Sequence, residues 1–394
     1  MLERKVHLHE MNPANGTRSA EGDVFTVGTY KLLAFIIGTI GILGFCNNAV
    51  VIILYCRFKS MRTPTNLLLV NIGLSDFLVS VLGINFTFAS CVNGGWMWSR
   101  AMCVWDGFSN SLFGIVSIMT LAALAYERYI RVVHAQVVDF PWVWRAIGHI
   151  WLYSLAWTGA PLLGWNRYTL EIHQLGCSLD WASKDPNDAS FILLFLLACF
   201  FVPVGIMIYC YGNLLYAVRM LRSIQDLQAV QIIKLLQYEK KVAVMFLLMI
   251  ACFLLCWTPY AVVSMMEAFG RESMVSPAVA IIPSFFAKSS TAYNLLIYVF
   301  MSRKFRRCLL QLLGSRHSWL QHSLKECPPA SSQHPIRPIV VSSKCRSRDR
   351  PKKRVTFSSS SIVFIIANDD MQNLDMTSSA SRTMKVNVFQ VKPL

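Results

Sequence analysis

SMVSPAVAIIPSFFAKSSTAYNLLIYVFMS, residues 273–302, carries a single charged side chain, Lys288. A helix needs ~20 apolar residues to cross a hydrocarbon core ~30 Å thick, and lipid satisfies no open backbone group, so a run of this kind reads as a membrane-spanning helix. Fifteen uncharged residues precede Lys288 and fourteen follow it. The amine therefore lies near the midplane, too deep for its stem to lift it to an interface. A charge at that depth costs at least ~2.5–3.5 kcal/mol and demands a purpose or a partner.

Six more runs have the same character. Residues 32–56, 146–165, 189–218 and 242–266 contain no Lys, Arg, Asp or Glu; 63–90 contains only Asp76 and 101–125 only Asp106. In a chain of 394 residues that is 55% hydrophobic and 15% charged, they predict an all-α membrane protein built as a bundle of seven transmembrane helices. Beyond Ser302, the run 303–313 puts Phe305, Leu309, Leu312 and Leu313 on one side and Arg and Gln on the other. That pattern predicts a short amphipathic eighth helix along the inner membrane surface. The chain thus divides into a polar segment 1–29, a bundle 30–301, a surface helix 302–313 and a tail 314–394, whose Ser, Pro and basic residues predict disorder.

Eleven Lys and Arg fall in segments 56–62, 128–145 and 219–241, against four in the alternate loops (Arg100, Arg167, Lys184 and Arg271). The basic side is cytoplasmic by the positive-inside rule, which puts the N-terminus outside, where Asn15-Gly16-Thr17 forms a glycan acceptor. A second match, Asn85-Phe86-Thr87, falls inside a span and is expected to stay unmodified. The net charge of +16 does not read as a nucleic-acid surface, because 17 of the 37 basic residues follow Ser302. Several of them adjoin the seventh span, where anionic lipid attracts them.

The 12 cysteines show no metal-ligand spacing. Most lie in apolar runs as small hydrophobes. Cys103, at the outer start of the third run, and Cys177, in the outer loop 166–188, face an oxidising compartment, so a disulfide between them is expected in preference to free thiols. Cys308 and Cys327 are candidate palmitoylation sites.

Two readings of Lys288 stand: a structural cation paired with a carboxylate, or an amine kept neutral by desolvation and so able to condense with an aldehyde as a Schiff base. Once bonded and protonated, its nitrogen needs an anion. Asp106, about one turn beyond Cys103, and Glu171, six residues before Cys177, would be drawn to one outer mouth by the disulfide; an ordinary loop acid is the alternative for Glu171. At the inner side, Glu127-Arg128-Tyr129 ends the third run and Glu239 opens the sixth. An Arg128–Glu239 ion pair holding the helix ends, or plain interfacial anchoring, both suit them. Asp76, with Asn47 and Asn294 as companions, fits a structural network or a sodium or water site.

Asn47, Leu74-Ser75-Asp76, Glu127-Arg128-Tyr129, Trp151, Pro203 with Tyr211, Cys256-Trp257-Thr258-Pro259 and Asn294 to Tyr298 occur in the order of the rhodopsin-like G-protein-coupled receptors, which the sequence resembles. Lys288, six residues before Asn294, narrows the resemblance to the opsins. The likeness implies 11-cis-retinal bound covalently to Lys288, Asp106 and Glu171 as counterion candidates, and Trp257 and Tyr260 against the ligand. Burial of the polyene at ~25 cal/mol per Å² would offset the cost of the lysine. It further implies a plasma-membrane photoreceptor that activates a heterotrimeric G protein of inhibitory type. Thr356 and Ser358 to Ser361 read as kinase targets that recruit arrestin, or as plain residues of a disordered Ser-rich tail. The likeness does not imply an enzyme, although a retinal photoisomerase and a light-independent receptor are the competing readings. A transporter is disfavoured because the spans hold too few acids. One departure stands out: Leu295 occupies the place of the family's proline in Asn294-Leu295-Leu296-Ile297-Tyr298, which predicts a straighter seventh helix and altered switching.

Overall fold

The computed structural model describes residues 24–134, 136–223, 230–270 and 275–314, with backbone alone over 218–223 and 230–240 and at Leu295. The first span is α1 (Val27–Arg57), started by Thr26, whose Oγ1 accepts from Thr29 N–H at 3.2 Å. The second is α2 (Pro64–Leu78), a π turn (Val79–Gly83) and α3 (Ile84–Asn93). The third is α4 (Arg100–Val133), the fourth α5 (Phe140–Gly159). An antiparallel hairpin, β1 (Tyr168–Leu170) with β2 (Cys177–Leu179), follows in the register Tyr168 to Leu179 and Leu170 to Cys177. The fifth span comprises α6 (Pro186–Leu196), a π turn (Leu197–Phe201) and α7 (Val202–Ser223); the sixth is α8 (Val230–Phe269). The seventh comprises α9 (Pro277–Ser289), a 3-10 turn (Ser290–Ala292) and α10 (Asn294–Met301). α11 (Arg303–Leu312) comes last, capped by Ser302 on Phe305 N–H.

Among the described residues, five helical spans are long and apolar enough to cross a membrane by length and composition; the seventh is split. The side chains on their outer faces, such as Phe35, Leu152, Ile208 and Phe300, are apolar and exposed, as a lipid-facing surface requires.

The non-α turns have local causes. In the fifth span Val202 N–H bonds back to Leu197 O, and Pro203 has no N–H to offer, so the Ala198 carbonyl loses its helical donors; Tyr153 Oη supplies one at 3.0 Å. The seventh span departs from the straighter helix that Leu295 predicts. It breaks just before Asn294 although the proline is absent, because side chains from α1 claim its carbonyls. Asn47 Nδ2 donates to Ala292 O at 2.8 Å and Asn48 Nδ2 to Thr291 O at 2.9 Å, while Thr291 Oγ1 folds back onto Lys288 O at 3.0 Å.

The core is layered along the bundle. A large inner cluster packs Leu68, Leu124, Tyr129, Tyr211, Phe246, Tyr298 and Phe305; an outer one packs Ile37, Val116, Leu175 and Phe285. α11 is pinned to the bundle by Phe305, whose ring centroid is 5.3 Å from that of Tyr298, and by the buried Cys308.

Candidate functional site

Lys288, two residues before the 3-10 turn, lines a cavity whose empty space, open solvent included, comes to about 1140 Å³. Ala287 and Ser284 of α9, Trp257 and Tyr260 of α8, Phe195 and Phe200 of the fifth span and Trp181 of the outer loop share it. Trp257 Nε1 donates to Ser290 Oγ at 3.1 Å and its ring stacks on Phe253. The space for the indole exists because residue 114 is glycine: a Cβ there would lie 3.0 Å from Trp257 Cη2. Among the described residues the Lys288 amine forms no ion pair. The bland reading, a structural lysine paired with a carboxylate, therefore finds no direct pair.

Both outer carboxylates come to this end of the cavity, and each is held by other donors. The disulfide Cys103–Cys177, with a Cα–Cα distance of 5.4 Å, ties β2 to the top of α4. Asp106, 0% exposed, accepts from Cys177 N–H at 2.9 Å on Oδ2 and from Asn110 Nδ2 at 2.7 Å on Oδ1. Asn110 depends in turn on Gly83, where a Cβ would lie 2.1 Å from Asn110 Oδ1. Glu171 is no free loop acid: Tyr260 Oη donates to its Oε1 at 2.9 Å, and His173 Nε2 contacts its Oε2. Burial pushes the Glu171 carboxyl up, but the His173 ring, the Lys288 charge and the Tyr260 hydroxyl together outweigh it and hold the group well below the usual carboxylate range. Gly176 lies between the acids and the amine: a Cβ there would be 3.6 Å from Asp106 Oδ2, 3.6 Å from Thr87 Oγ1 and 3.7 Å from Lys288 Nζ. Thr87 is 0% exposed, and its hydroxyl takes no hydrogen bond among the described residues.

Deeper in the bundle, Asp76 Oδ1 accepts from Ser117 Oγ at 3.0 Å and Oδ2 from Asn294 Nδ2 at 2.6 Å. Asn294 is thus a direct companion of Asp76, whereas Asn47 reaches the Ala292 carbonyl instead. At the inner end, the buried Glu127 pairs with Arg128 and accepts from Arg131 Nη2 at 2.6 Å and from Thr65 Oγ1 at 3.0 Å. The Arg128 guanidinium also lies 5.6 Å from the centroid of the Phe246 ring. The side chain of Glu239 lies outside the described residues, so the expected Arg128–Glu239 contact does too; Asn15, Cys327, Thr356 and Ser358 to Ser361 are likewise outside them. Tyr211 and Tyr298 are buried in the inner cluster, and Tyr129 Oη is 3.0 Å from His134 Nε2. Asn85 donates its side-chain amide to Val81 O at 2.9 Å.

Sequence reasoning missed His173, Asn110, Thr87 and Arg131. Polar residues in a loop or on a mixed helix face carry no periodic or charge-in-lipid signal. Arg131 alone, four residues after Glu127, had one.

Fold and site together define a multi-pass membrane receptor rather than an enzyme. The family model described as "7 transmembrane receptor (rhodopsin family)" matches residues 47–298. Opsin-3 (encephalopsin) of Mus musculus is 56% identical over 379 residues, covering 96% of this chain and 94% of that protein. Pinopsin of Columba livia is 35% identical over 295 residues, covering 74% and 83%. The crystal structure of squid rhodopsin superposes with a TM-score of 0.72 at 31% identity over 83% of this chain and 98% of that one. The chain belongs to the opsins, within the rhodopsin family of seven-transmembrane receptors.

Proposed function

We propose that this opsin is a light sensor that holds 11-cis-retinal on Lys288 as a protonated Schiff base and activates a heterotrimeric G protein, of inhibitory type, from its cytoplasmic side. The observation that carries this reading is the Lys288 amine at the wall of an aromatic cavity of about 1140 Å³, without an ion pair among the described residues and with two held carboxylates nearby. The cavity fits an elongated apolar aldehyde in its lining, and the amine is the group in its wall able to condense with one as a Schiff base. When bound, retinal supplies the absorption of visible light and the isomerisation.

The chain's own residues do the rest. Asp106, fixed by Cys177 N–H and Asn110, supplies a negative charge beside Lys288, and Glu171 supplies a second. Trp257 and Tyr260 bound the cavity, so a change of ligand shape presses on α8. α8 runs to the inner face, where the Glu127 cluster restrains the end of α4, and release of that restraint opens a cleft for the G protein. The N-terminus is extracellular and the tail, phosphorylated by a receptor kinase and then bound by arrestin, cytoplasmic. In domain terms, 30–301 is the sensing bundle and 302–313 its lipid-facing surface helix.

Purified with 11-cis-retinal, the protein is expected to show a visible absorption band that Lys288→Met abolishes, and light-dependent nucleotide exchange on an inhibitory G protein. No band in either protein refutes the pigment. A band with rapid release of isomerised retinal and no exchange identifies a photoisomerase instead.

A further inference from the structure

His173 is sealed inside the outer loop, 0% exposed, two residues from Glu171 and four from Cys177. Its Nδ1 accepts a hydrogen bond from Leu175 N–H at 3.1 Å. A ring nitrogen that accepts carries no proton, so the ring is the neutral tautomer with its proton on Nε2, the atom that faces Glu171 Oε2. The contact therefore sets the N–H of a neutral ring against a carboxylate oxygen. The turn that holds the ring is tight: Gln174 N–H bonds Glu171 O at 2.8 Å with Gln174 at φ 57°, and Glu171 N–H bonds Gly176 O at 3.0 Å. A buried carboxylate stays charged only while donors replace its lost water. Glu171 accepts from the Tyr260 hydroxyl of α8, and the His173 ring of its own loop lies in contact with its other oxygen. The other titratable groups that face it are Lys288 of α9, Asp106 of α4 and Glu267 of α8.

We propose that His173 is a positioning residue that keeps Glu171 ionised and aimed along the outer wall of the cavity, so that the pocket carries two negative charges against the one nitrogen on Lys288. The inference rests on the reading of Lys288 as the retinal-binding residue. Without the Nε2–H donor, burial counts for more at Glu171, the carboxyl takes up a proton more readily, and the nitrogen on Lys288 loses part of its stabilising charge.

The test is an absorption titration of the detergent-purified pigment, reading the pH at which the visible band converts to an ultraviolet one. His173→Phe, which fills the space without a donor, should lower that midpoint by about one unit, a tenfold change in proton affinity. His173→Gln, whose amide N–H donates, should recover at least half of the loss. In a Glu171→Gln background, His173→Phe should have no further effect. A midpoint unchanged in both His173 variants overturns the proposal, as does an equal fall in the Glu171→Gln background. Should His173→Phe fail to form pigment, His173→Gln and His173→Asn decide alone: Gln close to native and Asn, too short to reach, close to Glu171→Gln supports the assignment, and equal behaviour of the two refutes it. Absence of any band in the native protein refutes the reading of Lys288, a different outcome from a native band that His173 does not move.

Discussion

Replacing Asp106 by Asn removes one charge and the acceptor that Asn110 Nδ2 uses on Oδ1. Asn keeps an oxygen for Cys177 N–H and nearly the same volume, so the fold of the site should survive. The size of the electrostatic loss follows from Gly176. A single point in space lies 3.6 Å from Asp106 Oδ2 and 3.7 Å from Lys288 Nζ, so the two atoms are no more than about 7.3 Å apart. At an effective dielectric constant of ~20, opposite charges at that separation attract by ~2.3 kcal/mol, equivalent to ~1.7 pK units. Because the separation is an upper limit, this is a lower limit on the effect. Asp106→Asn should therefore lower the midpoint of the visible-to-ultraviolet conversion by at least ~1.7 units, measured by absorption titration in the dark. Glu171→Gln, whose carboxylate shares its charge with His173 and Tyr260, should lower it by less. If Asp106→Asn keeps its visible band with a shift below one unit while Glu171→Gln moves to the ultraviolet, Asp106 is not the principal counterion.

Other perturbations probe other parts of the molecule. Glu127→Gln leaves Arg128 buried beside a neutral partner, where breaking a buried pair typically costs ~3–5 kcal/mol; it should lower the melting temperature and raise dark nucleotide exchange on a G protein, and unchanged dark exchange would show that the cluster restrains nothing. Cys177→Ala opens a 74-residue loop, worth ~4.4 kcal/mol by chain entropy, and frees the N–H that holds Asp106; thermal melts and the absorption midpoint should fall together. The Glu171 carboxyl lies below its unfolded value of ~4.3, so its stabilising contribution is complete above that value and lost as pH falls through the folded one. The gap in melting temperature between native and Glu171→Gln should thus hold constant from pH 7 to about 5 and shrink only in stronger acid; narrowing between pH 7 and 6 would contradict the assignment. Finally, Leu295→Pro should cost well under the ~3 kcal/mol of a proline in a regular helix, because Asn48 already serves the Thr291 carbonyl that the substitution would strip of its donor; a loss of ~3 kcal/mol in a denaturation series would show that the break is not preformed.

Much of this architecture is legible in the sequence because lipid is an unforgiving solvent. A lone Lys288, Asp76 or Asp106 inside an apolar run is conspicuous by its cost, and the structure finds Lys288 and Asp76 in the wall of one cavity, Asp106 near the amine across Gly176, and Asp76 bonded to Ser117 and Asn294. What is not legible are contacts whose partner lies far away along the chain. Asn47 and Asn48 break the seventh span from nearly 250 residues upstream, and no local propensity at 290–292 announces it. His173 looks like an ordinary loop residue until the hairpin and the disulfide turn it inward; the pairing of Cys103 with Cys177 was readable, and with it the approach of Asp106 and Glu171, but the ring carried along beside Glu171 was not. Leu295 shows the converse error, since one missing proline suggested a straight helix when the break has several independent causes.

The two π turns and the 3-10 turn share a property beyond their local origins. Val79, Cys199 and Phe200 in the π turns, and Ser290 and Thr291 in the 3-10 turn, all line the cavity. At such a turn a backbone N–H can exchange one carbonyl for its neighbour, so the helix shortens or lengthens by a residue's step without losing a bond. The second, fifth and seventh spans therefore have their soft joints at the depth of the ligand, while the rods on either side stay stiff. A small change of shape in the cavity is converted there into tilt and rotation of whole helix halves, and amide hydrogen exchange should be fastest within these spans at those three turns.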